Sequence, residues 1–436
     1  MQYTAREAAL EALVRCRRDE AWSGATIDNV INKYKLDKRD AALAARISLG
    51  VLQNSSLCDF YIDCFCKSKL EPKLRDILRM GVYQILFLDR IPIRAAVNES
   101  VVLCKKQGNS KASGLVNAVL RKIADNKDRL PEIPDIGSAK HLALKYSHPE
   151  WLVQYVIEQK GYDFAEAFLA ANNKDPGLDI QVNRLKVSAA EYAEMLNQRG
   201  IVYMSSEPDG CILLEGGNAS ELPGFEEGLF YVQDKAARLA AEIAGAKPGM
   251  KVLDCCSSPG GKSFASAILM CNEGSILSCD IHEKKLRLVR SGAERLGIDI
   301  IDTEAMDARS FKPEFENAFD LVIADVPCSG LGVIAKKPEI RNKDWDSLKA
   351  LPVIQRDILN NVSRYVAPGG TLLYSTCTVL KEENEDVLTL FLEDNKNFVL
   401  EAFSICGINA EKGMYTFWPN VDGTDGFFAA RLRRLS

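Results

Sequence analysis

Apolar positions recur at helical spacing through the first third of the chain. Thr4 and Glu7 form a capping-box pattern before Ala8, Leu10, Leu13 and Val14, a helix start. Stretches 39–52, 74–88, 95–105 and 115–123 keep the same period, with Pro72 and Pro92 as punctuation. None alternates as a half-buried strand does, so an all-α bundle is expected over 4–129. Pro131, Pro134 and Gly137 mark a linker. Helical periodicity returns at 148–172, strand-like alternation follows at 178–182, and 189–198 reads as a helix. With short strands at 201–204, 211–214 and 229–232, this predicts a small α+β module of the split β-α-β, ferredoxin-like kind. It lacks the paired aromatics of an RNA-recognition sheet, so a spacer or backbone-guiding role is expected.

Past Asp234 the rhythm changes. Short apolar runs at 252–254, 275–280, 320–325 and 371–374 alternate with helical stretches at 262–270, 284–296, 354–366 and 382–394. That alternation predicts a doubly wound, Rossmann-like α/β sheet, finished by antiparallel strands near 398–403, 414–418 and 427–432. Ligands of such sheets bind outside the carboxyl ends of the strands. The expected division is 1–135, 145–232 and 233–436, a multidomain chain.

Charge changes the picture at one end. The chain of 436 residues carries a net −5, but residues 1–130 hold 23 Lys+Arg against 15 Asp+Glu, a local +8. A basic helical module on an acidic body suits an RNA partner held mainly at one end, and equally a solvated helical surface. Arg15, Arg17, Arg18, Lys105, Lys106, Lys111, Arg121 and Lys122 fall near predicted helix ends, where phosphates can reach them. No basic start leads into an apolar run and no stretch is long enough to span a membrane, so a cytoplasmic protein is expected, by default a monomer. Among 13 cysteines, Cys58, Cys64 and Cys66 cluster without a fourth ligand nearby; core packing is expected there and no metal.

The candidate chemistry lies at three strand ends. Cys256-Ser257-Ser258-Pro259-Gly260-Gly261-Lys262 follows the strand that ends at Asp254. It has neither the three glycines of a dinucleotide turn nor the spacing of a phosphate loop. A tight bend before a helix, with Asp280 ending the next strand where a carboxylate takes ribose hydroxyls, fits an adenosyl ligand without pyrophosphate. S-adenosylmethionine is the common case. Asp307 is the candidate acceptor for the adenine amino group. Asp325-Val326-Pro327-Cys328 and Ser375-Thr376-Cys377 place two thiols at two further strand ends. Cytosine C5 is too weak a nucleophile to take a methyl group unaided. A thiolate adding to C6 makes C5 enamine-like, which is covalent catalysis. Asp325 can share a proton with N3 if a dry pocket raises its pKa. Lys262 starts the helix nearest the place where Asp325 and Cys377 should converge. With three histidines, none near these motifs, no base for Cys377 is evident.

These motifs resemble those of the bacterial ribosomal RNA cytosine-C5 methyltransferases of the Sun/Fmu type. Residues 256–262 are similar to that family's Cys-Ala-Ala-Pro-Gly-Gly-Lys, with Ser257 and Ser258 in place of alanines; 325–330, 375–377 and 425–428 carry the other elements. The resemblance implies Cys377 as nucleophile, Cys328 assisting product release, and 16S ribosomal RNA as substrate, at the cytosine of position 967. Residues 94–100 and 115–121 resemble the NusB-like helical domain fused in the family, which implies RNA contact. Two further readings are an RNA-binding antitermination or assembly factor with an inactive methyltransferase body, and a cytosine-C5 methyltransferase of another RNA such as transfer RNA.

Overall fold

A computed structural model describes residues 3–19 and 23–436. Its chain divides into two compact units, one of Met1–Lys174 with Ile334–Trp345, the other of Asp175–Val333 with Asp346–Ser436.

The first unit is helical: α1 (Ala5–Asp19), α2 (Ser23–Tyr34), α3 (Lys38–Gln53), α4 (Ser55–Phe65), α5 (Pro72–Phe87), α6 (Ile93–Lys106), α7 (Ser113–Asp125), α8 (Ala139–Tyr146), α9 (Glu150–Lys160) and α10 (Tyr162–Asn172). The capping box at its start is present, with Thr4 N donating to Glu7 Oε2 at 2.9 Å and Glu7 N to Thr4 Oγ1 at 3.3 Å. Periodicity missed α2, α4 and α8. The helical stretch at 148–172 is two helices, because Gly161 at φ 90° breaks the ladder between Lys160 and Tyr162. Cys58 and Cys66 pack in the bundle core, where burial pushes the Cys58 thiol up to about 12.

Residues 334–345 were expected within the α/β body but belong to the helical unit. Their anchor is Arg341, which is buried and donates to the carbonyls of Gln53, Tyr146 and Asn172, the last residues of α3, α8 and α10. Helix C-termini carry unpaired carbonyls and partial negative charge, so one guanidinium satisfies three ends.

The second unit opens with a four-stranded antiparallel sheet, β1 (Leu178–Val182), β2 (Tyr203–Ser206), β3 (Cys211–Leu214) and β4 (Phe230–Val232), in the order β2-β3-β1-β4. Helix α11 (Ala189–Gln198) begins with a complete Ser188/Glu191 capping box and covers one face through Tyr192 and Leu196. Gln181, Cys211 and Tyr231 on the opposite face are buried too, so this face is not an open platform for bases. Tyr231 meets Phe264 edge-on at 5.9 Å, and Asn183 bonds the carbonyls of Gly228 and Leu296.

The larger sheet runs β10-β14-β9-β8-β5-β6-β7, with β13 on β14. Its parallel strands are β5 (Lys251–Asp254), β6 (Ser275–Asp280), β7 (Ile301–Ala305), β8 (Phe319–Asp325) and β9 (Val366–Thr376). Antiparallel β10 (Phe398–Leu400), β13 (Met414–Phe417) and β14 (Phe427–Arg434) close one edge, while β11 (Phe403–Ile405) and β12 (Ile408–Ala410) form a separate hairpin. Alternate side chains feed two cores. Val252, Leu321, Ile323, Leu373 and Ala429 pack with α12 (Lys235–Ala244), α13 (Gly261–Leu269) and α14 (Glu283–Leu296). Leu253, Val322, Leu372, Tyr374 and Phe428 pack with α15 (Leu351–Val362) and α16 (Glu385–Asp394). The chain winds outward in both directions from β5 and β8, so the crevice of this doubly wound sheet opens at the ends of those two strands. Among the described residues, no helix is long and apolar enough to cross a membrane.

Candidate active site

β5 delivers Asp254 to the crevice fully buried. Its carboxylate accepts from Ser263 Oγ at 2.7 Å, and burial pushes its pKa up to about 7. The turn after it is fixed by its own backbone: Ser257 N donates to Cys279 O at 2.8 Å and Gly260 N to Ser257 O at 2.7 Å. Gly260 has φ 115°, and a Cβ there would fall 2.4 Å from the Phe264 ring. Only glycine lets the backbone come this close before α13 begins. Cys256 and Ser258 are half-buried and Pro259 is exposed. The Oγ of Ser257 and Oε1 of Gln233 are buried with no hydrogen-bond partner among the described residues. A turn with no room for side chains, beside unpaired polar atoms, fits a small polar ligand such as the methionine part of an adenosyl donor.

Asp280 ends β6 nine-tenths buried and accepts from His282 N through Oδ1 at 2.8 Å. Asp307 follows β7, and Arg309 grips both its oxygens, at 3.0 and 2.7 Å; that pairing holds its carboxyl below the usual range.

At the end of β8, Asp325 accepts from Lys262 Nζ at 2.7 Å and, through its other oxygen, from Ser375 Oγ at 2.8 Å. Both Asp325 oxygens thus act as acceptors. Phe427 lies under the Lys262 ammonium, 4.8 Å from ring centre to nitrogen.

The two thiols converge. Cys328 Sγ and Cys377 Sγ are 2.8 Å apart, and Cys377 N donates to Cys328 Sγ at 3.2 Å. Both residues are half-buried. The contact with Cys377, then burial, then the charges of Glu383 and Asp325, raise the Cys328 thiol well above its ordinary value. The backbone of Gly332 ties the site together, donating to Cys377 O at 3.0 Å and accepting from Gly426 N at 2.8 Å. That bond gives the terminal Asp-Gly-Phe-Phe element its place: Gly426 approaches Gly332, and Phe427 approaches Lys262.

The profile of the 16S rRNA methyltransferase RsmB/F family matches residues 243–433, the NusB family profile 3–125, and the ferredoxin-like domain of the RsmF/B-like methyltransferases 148–220. The chain is 34% identical, over 98% of both sequences, to the probable ribosomal RNA small subunit methyltransferase B of Bacillus subtilis. It belongs to the RsmB/F methyltransferase family. A second member, from Synechocystis, is 32% identical over 99% of both chains. The crystal structure of PH0851 superposes over the whole length of both chains with a TM-score of 0.81 at 27% identity. A methyltransferase homologue from Pyrococcus horikoshii matches 67% of this chain and 98% of its own, with a TM-score of 0.59 at 27% identity. The family's NusB, ferredoxin-like and methyltransferase parts are all present in this chain.

Sequence reasoning missed Ser375 as a partner of Asp325, Phe427 as the floor under Lys262, and Gln355, Glu383 and Asn384 behind the thiols. Ser375 and Phe427 lie inside the motifs at 375–377 and 425–428, so their proximity could have been suspected. Gln355, Glu383 and Asn384 have no local signal.

Proposed function

We propose that this chain methylates C5 of a cytosine in 16S ribosomal RNA, at position 967 by family resemblance, with Cys377 as nucleophile and S-adenosylmethionine as donor. The observation that carries the proposal is the 2.8 Å approach of the two thiols beside the Lys262–Asp325 pair. One thiol at a strand end is ordinary; two aimed at one spot suit a base that must be attacked and then released.

The residues divide the work as follows. Residues 256–262 and Asp280 would hold the donor, with Asp307 near its adenine once Arg309 moves aside. The donor supplies an electrophilic methyl group on a sulfonium. Cys328, kept protonated, donates its S–H to Cys377 and so stabilises that sulfur as a thiolate. The thiolate adds to C6 and makes C5 nucleophilic. The proton shared between Lys262 and Asp325 balances charge developing at N3. With its own proton lost to solvent, Cys328 then takes the C5 proton as the C6–S bond breaks, restoring the ring and the Cys377 thiolate. The target base must leave its stack to reach these groups.

In this reading 1–135 binds RNA, 145–232 braces the cofactor helix through Tyr231 and Phe264, and 233–436 does the chemistry, in a cytoplasmic monomer. Exposed Lys105, Lys111, Arg121 and Lys122 are phosphate contacts; Arg15, Arg17 and Lys106 are already paired with Glu11, Asp76 and Glu7.

The test incubates the protein with labelled donor and a 16S transcript and maps the modified bases. 5-Methylcytosine is expected. Methylation of a base nitrogen, or of transfer RNA alone, would overturn the mechanism or the substrate respectively. Cys377→Ser is expected to abolish transfer, and Cys328→Ser to trap a protein–RNA adduct on denaturing gels; the reverse pattern exchanges the two roles.

A further inference from the structure

Glu383 and Asn384 are adjacent and almost wholly buried, at 1% and 0% exposure, behind the two thiols. Each is bonded to the residues that flank one cysteine, Asn384 directly and Glu383 in part through Gln355. Glu383 Oε2 accepts from Ser329 N at 2.9 Å and from Gln355 Nε2 at 2.7 Å, and the same Gln355 amide donates to Pro327 O at 3.0 Å. Pro327 and Ser329 flank Cys328. Asn384 Oδ1 accepts from Thr376 Oγ1 at 2.6 Å, and its Nδ2 donates to Thr378 O at 3.1 Å. Thr376 and Thr378 flank Cys377. A bond from Ser329 Oγ to Thr378 Oγ1, 2.7 Å long, joins the two halves. The Glu383 carbonyl accepts from Tyr374 OH at 2.6 Å, fixing the dipeptide to β9.

This arrangement has a cost. Glu383 Oε1 and Gln355 Oε1 are buried with no hydrogen-bond partner among the described residues. An unpaired carboxylate oxygen in the interior is unfavourable, and an apolar residue would avoid it. What the carboxylate achieves is the simultaneous grip on Ser329 N and Gln355, which no apolar side chain offers.

We propose that Glu383 and Asn384 are positioning residues that form one clamp setting the separation and orientation of Cys328 and Cys377. The clamp deepens the proposed reaction and rests on that reading for its catalytic consequence; its effect on the thiols does not. Glu383 also places a negative charge near Cys328, in company with Asp325 and the Cys377 sulfur, which favours the protonated form that donates to Cys377 in the proposed reaction.

The test separates position from charge. The full-length protein is treated with diamide, which takes two hydrogens and two electrons from a thiol pair, and formation of the Cys328–Cys377 disulfide is followed by peptide mapping. Disulfide closure demands a narrow geometry. Losing the Glu383 charge alone exposes more thiolate and speeds closure; losing position slows it. Glu383→Ala is expected to slow closure about tenfold, in line with the cost of small displacements at reacting atoms. Glu383→Gln keeps the acceptor and offers a donor to Gln355 Oε1, so it should close at the wild-type rate or faster. Closure in Glu383→Ala as fast as wild type overturns the proposal. If that variant does not fold, Gln355→Met removes the donors to Pro327 O and Glu383 instead, with the same expected slowing and the same overturning result. In the methylation assay, Glu383→Ala should lower kcat with KM unchanged and Glu383→Gln should restore it; equal losses in both variants, or a loss confined to KM, contradict the clamp. Should wild type make no 5-methylcytosine, the proposed function fails while diamide closure still decides the clamp.

Discussion

Lys262 and Asp325 come from opposite sides of the crevice, one from the first turn of α13 and one from the end of β8, and meet at 2.7 Å. The lysine side chain is 8% exposed and the aspartate 31%, so the pair is desolvated mainly at the cation. Removing the lysine alone leaves a half-buried carboxylate with one donor, Ser375. Lys262→Met should therefore destabilise the fold by roughly 2–3 kcal/mol, at or below the range for breaking a buried pair, since water reaches Asp325. Lys262→Met with Asp325→Asn should recover most of that loss. Urea unfolding of the two single variants, the double variant and wild type gives the coupling; strictly additive losses would show that the pair is not coupled.

Asp254 makes stability depend on pH in a direction opposite to most carboxylates. Its folded pKa is raised from 3.8 to about 7, so between those values the native state binds more protons than the unfolded chain. Stability from this group is fully present below about pH 4 and is lost as pH rises through about 7. Asp254→Asn keeps the shape and cannot ionise. The difference in melting temperature, variant minus wild type, should climb across that window and level off above it. A flat difference would mean that Asp254 is not held protonated.

Much of the fold was legible because its signals are local. Strand 178–182 and helix 189–198 have the bounds expected, since alternation and a Ser188/Glu191 box mark them without help from the rest of the chain. β7 was not legible: Ile-Asp-Thr-Glu-Ala sits at the sheet edge with every residue at least partly exposed, so no apolar run announces it. β9 starts five residues earlier than expected, running through Pro368, Gly369 and Gly370, residues that ordinarily read as a turn. At the site, the strand-end residues carried their own motif signals. The clamp did not, because Glu383 earns its place only through Ser329 and Gln355, neither of them near it in sequence. The docking of 334–345 in the helical unit was hidden for the same reason, as it depends on Arg341 finding the ends of three distant helices.

Gly332 tests how closely the site is packed. A Cβ on it would lie 1.8 Å from the Gly426 carbonyl oxygen, backbone that cannot rotate away. Gly332→Ala must push apart the two segments that hold Cys377 O and Phe427. Methyl transfer is expected to fall about a hundredfold, the scale of a displacement near 1 Å at reacting groups. Gly24→Ala, where the added methyl meets nothing within 4 Å, serves as the control and should leave activity at the wild-type level. Equal activity in both variants would show that the Gly332–Gly426 approach does not position the thiols.

Arg341 is the test for the helical unit. Besides the three helix-end carbonyls it bonds Ser147 O at 3.1 Å and Asn173 Oδ1 at 2.7 Å, so its guanidinium fork reaches five acceptors. Methionine has similar length and no donor, so Arg341→Met strands several buried carbonyls at once, each costing about 1–3 kcal/mol where water cannot replace the lost donor. Lysine offers a point charge with three donors in place of a planar fork, so Arg341→Lys should recover only part of the loss. The expected order of melting temperatures is wild type, then lysine, then methionine. Hydrogen exchange should localise the effect to amides at the ends of α3, α8 and α10. If exchange there is unchanged in Arg341→Met, the guanidinium is not what secures those helix ends.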